Sequence, residues 1–181
     1  GCEGPMIILA STSPYRRALL QRAGIPFEAA RPGVDEDAYK ARIPEPEALV
    51  RALAIAKAQD VAKRHPNDVV IGSDQVAVLG GRILGKPGGR SAALKQLQAM
   101  QGAAHQLLTG VALVGPGFSR VAVDRTTLEM RSWSDCALLG YLDRDEPYDC
   151  AGSYKFECGG SALFARITTL ATPRGRPGRP D

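Results

Sequence analysis

The segment VVIGSDQVAVL, Val69–Leu79, has the Val, Ile and Leu content of a buried strand, yet it carries Ser73, Asp74 and Gln75 in its middle. A carboxylate buried without a partner is strongly disfavoured, or its pKa rises until it is neutral. Asp74 therefore reads in two ways. It is half of a structural ion pair or a cap, or it is a metal ligand or the base for a water that attacks a phosphate. Asp35, Glu36 and Glu157 are the other candidate carboxylates. Arg16 and Arg17 stand in the first turn of an expected helix, where the helix dipole favours anions by ~0.3–1 kcal/mol. Either both are solvated, or a phosphate held over S-T-S at 11–13 gathers their guanidinium groups and the free backbone N–H groups. Lys86, in G-K-P, is an exposed turn lysine or a phosphate contact; Lys57, among alanines and Ile55, reaches inward to a carboxylate or extends outward to water. Neither G-x-x-x-x-G-K-[ST] nor G-x-G-x-x-G occurs, so a phosphate site here needs another cradle.

The elements that must position these groups follow from pattern. Residues 6–10 (MIILA) read as a strand; Ser13 as N-cap, Pro14 at the first helical position and Gly24 as C′ stop bracket a helix with Leu19, Leu20 and Ala23 on its core face. Residues 31–44 are polar and read as loop. A second helix spans 46–64, with Leu49, Leu53, Ala56 and the region of Val61 at helical spacing, and Pro66 ends it. Gly80-Gly81 is a hairpin signal after the Asp74 strand. A third helix at 91–101 turns Leu94, Leu97 and Met100 inward; strands follow at 107–114 and within 121–130, joined through G-P-G, and Ser134 caps a last helix through Leu142. Helices alternating with strands early, then a hairpin-rich part, imply an α/β fold with a mixed β-sheet and flanking helices. His105 reads as structural, Cys136 as core, and Cys150 and Cys158 carry no assigned chemistry. From Thr168 the chain reads TTLATPRGRPGRPD, rich in Pro, Gly and Arg, and is expected to be loosely packed or disordered.

Bulk composition bounds the rest. A chain of 181 residues with 44% hydrophobic content suits one domain with a sizeable core. Net charge is +4, and three of the arginines lie in the last eight residues, so the body is only mildly basic and a nucleic-acid polymer is not indicated. Four Cys without a C-x-x-C pair and only two His argue against a zinc site or a disulfide framework. No apolar run is long enough for a bilayer and no signal peptide is evident, so a cytoplasmic location is expected. Residues 1–5 precede Met6 as an extension; 6–167 form the expected domain and 168–181 an atypical tail.

Six pieces in one order, namely ILASTSPYRRALL, LAIAKA, IGSDQV, GKP, H-x-x-x-T-G-V from His105 to Val111, and EPYDCAGSYKFE, make the chain resemble the Maf family of nucleoside triphosphate pyrophosphatases. S-D-Q, Tyr15 and the K-x-E of Lys155 to Glu157 resemble its 7-methyl-GTP branch. The resemblance implies a hydrolase with a long mixed sheet around a central cleft. It would cut between the α and β phosphates with a divalent cation, Mg²⁺ or Mn²⁺, and release pyrophosphate and a nucleoside monophosphate. It puts the proton acceptor on Asp74, phosphate binding on Ser11, Arg16, Arg17, Lys57 and Lys86, the metal on Glu36 and Asp74, and base selection on Tyr15, Gln75 and Glu157. A small-molecule nucleotide is the implied partner, and a homodimer stays open because the family is often dimeric. Two alternatives stand beside this one: a Maf pyrophosphatase acting on dTTP or UTP, and a catalytically weak nucleotide-binding regulator of cell division. Two departures are visible. Ala56 stands where the family usually has Glu before the helix-two lysine, and TTLATPRGRPGRPD stands in place of a G-L-P segment and closing helix.

Overall fold

The computed structural model describes residues 4–155 and 160–173. Among these residues seven strands and five helices follow the order β1 (Ile7–Ala10), α1 (Pro14–Arg22), β2 (Glu28–Ala30), α2 (Glu36–Arg42), α3 (Pro46–Ala62), β3 (Val69–Leu79), β4 (Arg82–Leu84), α4 (Arg90–Met100), β5 (Ala104–Gly115), β6 (Phe118–Met130), α5 (Asp135–Asp145) and β7 (Phe164–Pro173). Short 3₁₀ turns occupy Ala151–Ser153 and Gly160–Leu163. The sheet order is β2-β1-β3-β5-β6-β7, with β4 paired to β3. β1 runs parallel to both β2 and β3, and β4 is antiparallel to β3 across the Gly80-Gly81 turn, so the sheet is mixed as expected.

The chain divides into two compact units. One comprises residues 1–75, 109–123 and 171–181, the other 76–108 and 124–170. In the first unit the core joins Ile8 and Ala10 of β1, Ala54, Ala58 and Val61 of α3, Val70 of β3 and Ala112 of β5. The seat of α3 on the sheet is unusually close. A Cβ at Gly72 would meet the backbone carbonyl of Ala54 and stand 2.8 Å from the Ala58 nitrogen, and one at Gly110 would meet the Val50 carbonyl. Glycine at both strand positions permits that approach to the helix backbone, and at Gly72 it faces the small Ala54 and Ala58. In the second unit α4 and α5 enclose Leu97, Met100, Leu128, Met130, Leu138 and Leu142, with Tyr154 and Phe164 completing the core.

Four expectations need correction. Residues 31–44 are not all loop. Asp35 accepts the Ala38 N–H at 3.2 Å as an N-cap and starts α2, whose first turn is acidic and last turn basic, in line with the helix dipole. Helix α1 has no buried core face: none of its residues is fully buried, Leu19 is 45% exposed and Ala23, its C-cap, is exposed as well. Two leucines among Arg16, Arg17, Gln21 and Arg22 cannot build an apolar stripe over nine residues. Cys136 is exposed, because it opens α5 while Leu138, Tyr141 and Leu142 take the inward positions. Strand β7 runs to Pro173, so Thr168–Pro173 is strand and not a loose tail; 174–181 lie outside the described residues. Its T-T-L-A-T continues a β-favouring run begun at Phe164, and the ladder with β6 supplies backbone partners that composition alone does not reveal.

Candidate active site

The first unit gathers charge around one lysine. The close seat of α3 brings the buried Lys57 onto the polar middle of β3. Its Nζ lies 2.9 Å from Asp74 Oδ1 and 3.0 Å from Glu36 Oε1, and 3.5 Å from the Ser73 carbonyl oxygen to which it donates. The Lys57 and Asp74 side chains are 10% and 11% exposed, and Glu36, at the start of α2, is 46% exposed. The inward alternative for Lys57 is therefore the one adopted. Asp74 is not an isolated buried carboxylate, and the group that pairs it comes from the helix packed on Gly72.

Electrostatics in this cluster are divided. Burial pushes the Asp74 carboxyl above its ordinary value of 3.8, against the opposing pull of Lys57 and Arg16, while Glu36 pushes in the same direction as burial. Burial likewise lowers the Arg16 guanidinium below its ordinary value, and Asp74 and Glu36 work to hold the charge on it. Arg16 thus belongs to the same electrostatic cluster as Asp74, Glu36 and Lys57. Tyr15, 37% exposed at the start of α1, acts on Arg16 too.

The loop from β1 to α1 is built on serine. Ser11 is buried and its Oγ accepts the Ser13 N–H at 3.0 Å; Ser13 Oγ accepts the Arg16 N–H at 3.4 Å and caps the helix. Arg17 is exposed and lines an open surface depression with Gln21, Ile25, Phe27 and Glu28. The two arginines that adjoin in sequence thus part in space. Gln75, exposed on β3, donates from Nε2 to Thr109 Oγ1 of β5 at 2.8 Å. Sequence reasoning did not assign Thr109, although the H-x-x-x-T-G-V spacing marks it. In the second unit Lys86 occupies the turn after β4. Glu157 lies outside the described residues.

Two carboxylates sharing one ammonium make a hard-oxygen donor set with one half-open side. Mg²⁺ commonly takes one or two carboxylates and completes its shell with water and phosphate oxygens. Asp74 and Glu36 supply two carboxylates of that kind; among the described residues no cluster of three His, Cys, Asp or Glu is present. Among the same residues no helix is long and apolar enough to cross a membrane.

A family described as Maf-like protein matches residues 6–172. A 7-methyl-GTP pyrophosphatase from Aromatoleum aromaticum is 47% identical over 164 residues, which cover 90% of this chain and 84% of that protein. Proteins of the same name from Albidiferax ferrireducens and Xanthomonas axonopodis pv. citri are each 47% identical over 163 residues, covering 89% and 90% of this chain and 81% and 85% of theirs. With nearly its whole described length matched, and with the ordered motifs in place, this chain belongs to the family of Maf-like proteins.

Proposed function

We propose that the chain is a nucleoside triphosphate pyrophosphatase that hydrolyses 7-methyl-GTP to 7-methyl-GMP and pyrophosphate. The buried Lys57–Asp74 pair at 2.9 Å, with Arg16 and Glu36 in the same field, is the observation that carries the chemistry. The name borne by relatives at 47% identity supports the substrate. A divalent cation, Mg²⁺ or Mn²⁺, would be held by Asp74 and Glu36 and would supply charge neutralisation at the phosphates. Asp74 orients a water and takes its proton as the water oxygen bonds to the α-phosphorus. The bond from that phosphorus to the bridging oxygen breaks, and pyrophosphate leaves with the electron pair. A carboxyl raised by burial is a better proton acceptor once ionised than a solvated one. Lys57 and Arg16 hold phosphate oxygens and stabilise their charge, and the Ser11 loop receives the chain of phosphates at the start of α1.

For the base, methylation of the guanine imidazole ring leaves a positive charge, which an aromatic face attracts. Tyr15 is offered for that face and Gln75, steadied by Thr109, for an amide contact. Arg17 and Lys86 are retained as proposed phosphate contacts and Glu157 as a proposed acceptor for the base edge. A homodimer and a cytoplasmic setting are proposed with them. The test is a triphosphate panel assayed for pyrophosphate with Mg²⁺ or Mn²⁺. The proposal expects 7-methyl-GTP to lead; dTTP or UTP leading would move the chain to the pyrimidine branch, and no release from any triphosphate would refute the activity.

A further inference from the structure

Gln96, in the middle of α4, has no role in the proposed chemistry, yet its amide joins the residue before Lys86, a proposed phosphate contact, to the segment that leads into the K-x-E motif at Lys155. Its Nε2 donates to the Gly85 carbonyl oxygen at 3.1 Å, and its Oε1 accepts from the Ser153 hydroxyl. A carbonyl can only accept, so the Gly85 contact fixes which end of the amide faces which segment. Gly85 immediately precedes Lys86. Ser153 opens the S-Y-K run that leads to Glu157.

The Ser153 end is held in a conformation a serine rarely adopts. It is fully buried with φ at +64°, directly after Gly152 at +80°. Backbone of this kind persists where its surroundings over-determine it, and it recurs at ligand clamps. Here the determination is complete residue by residue. Ser153 is tied to α4 through Gln96, the Tyr154 hydroxyl meets His105 Nε2 of β5 at 2.8 Å, and Lys155 donates its N–H to the Tyr141 hydroxyl of α5 at 2.7 Å. Gly160 closes behind them, its N–H on the Lys155 carbonyl at 2.9 Å. The lysine loop has a second tie of its own, from the Gly88 N–H to the Tyr148 carbonyl at 2.8 Å.

We infer that Gln96 is a positioning residue that sets the Lys86 loop and the Ser153–Lys155 segment in one register, so that the phosphate grip and the reading of the base depend on a single amide. The inference rests on the proposed activity for its functional half; the physical coupling stands apart from it.

Three variants separate the two ends. Ser153→Ala cuts only the base side, Gln96→Glu keeps an acceptor for Ser153 but turns a carboxylate against the Gly85 carbonyl, and Gln96→Leu cuts both. Each lost or opposed hydrogen bond is expected to act by roughly 3- to 10-fold. Ser153→Ala lowers the preference for 7-methyl-GTP over GTP and leaves the KM for GTP in place. Gln96→Glu raises KM for both nucleotides alike. Gln96→Leu does both, while kcat stays within about twofold of the wild type. Hydrogen exchange without nucleotide reads the coupling directly: in Gln96→Leu the Gly88 and Lys155 amides both lose protection. Loss at one segment or neither overturns the coupling whatever the kinetics. Loss at both, with KM and preference unchanged or with equal falls in kcat on both nucleotides, overturns the positioning role. A wild-type protein that releases no pyrophosphate overturns the proposed activity, and the functional half with it.

Discussion

The two units each bury a titratable side chain, and they treat it in opposite ways. In the first, Asp74 is placed against Lys57 and in the field of Arg16, so its burial is contested by cations, while Glu36 adds to it. In the second, His105 is set between Tyr154 and Phe164 with ring centroids 5.5 and 5.7 Å away, and its pKa falls from 6.5 to about 4 through burial alone. No buried partner meets its Nδ1 among the described residues, and one neutral hydrogen bond to Tyr154 holds the other nitrogen. Burial drives both groups toward neutrality. Cations oppose it at Asp74 and none does at His105, and that difference is why the proposed chemistry is assigned to the first cluster.

The comparison breaks most sharply at Asp74. Asp74→Asn keeps the shape and removes the charge, so turnover should fall by about 10²–10⁴-fold while substrate binding survives. The melting temperature should fall, since the buried Lys57 loses one of its two carboxylates and keeps only the half-exposed Glu36. Turnover near the wild type would take Asp74 out of the mechanism.

Lys57→Met comes next. It leaves Asp74 and Glu36 facing each other without their shared ammonium, and removal of one partner of a buried pair is worth about 3–5 kcal/mol. Urea unfolding at pH 8 should show a loss of that order, and adding Asp74→Asn to the same chain should recover most of it. Equal stability of Lys57→Met and wild type would mean the pair carries no such coupling.

The pH dependence of stability sharpens the contrast by sign. Folded His105 takes a proton only near pH 4, the unfolded histidine near 6.5, so between them the unfolded chain binds more protons and stability rises with pH. The His105 contribution is full above 6.5 and lost as pH falls toward 4, on the order of 3 kcal/mol in all. Asp74 runs the other way: its raised pKa makes its contribution full below 3.8 and lost as pH rises through the raised value. Urea titrations between pH 7.5 and 4.5 should show the histidine slope, and His105→Gln should flatten it. An unchanged slope in that variant would assign the acid sensitivity to other groups.

Much of this was legible in the chain. The S-P cap before α1, the Gly80-Gly81 hairpin and the helical spacing of α3 each rest on local rules, and each element stands where those rules put it. Lys57 and Asp74 were visible as polar residues in apolar company. Their union was not, because it depends on Gly72 and Gly110 letting α3 approach the sheet, a contact between segments distant in sequence. Arg16 and Arg17 look equivalent in the sequence and diverge because adjacent helical residues face different ways. Helix α2 escaped notice because Asp35 and Glu36 read as loop acids when they are a cap and a first turn. His105 is buried, and its hydrogen-bond partner Tyr154 stands 49 residues further along the chain, beyond the reach of local sequence rules.

The smallest expected effect concerns the base. Tyr15→Leu should remove a cation–π face of about 0.5–2 kcal/mol and so lower kcat/KM for 7-methyl-GTP by roughly 2- to 30-fold more than for GTP. Equal losses on the two nucleotides would return Tyr15 to a packing role on α1.

The central claim, that Asp74 directs water onto the α-phosphorus, is tested most directly by running the wild-type reaction on 7-methyl-GTP in ¹⁸O-labelled water. The account predicts one labelled oxygen in the monophosphate product, none in pyrophosphate, and loss of this labelled product in Asp74→Asn. Label in pyrophosphate, or labelled monophosphate formed at an undiminished rate by Asp74→Asn, would contradict it.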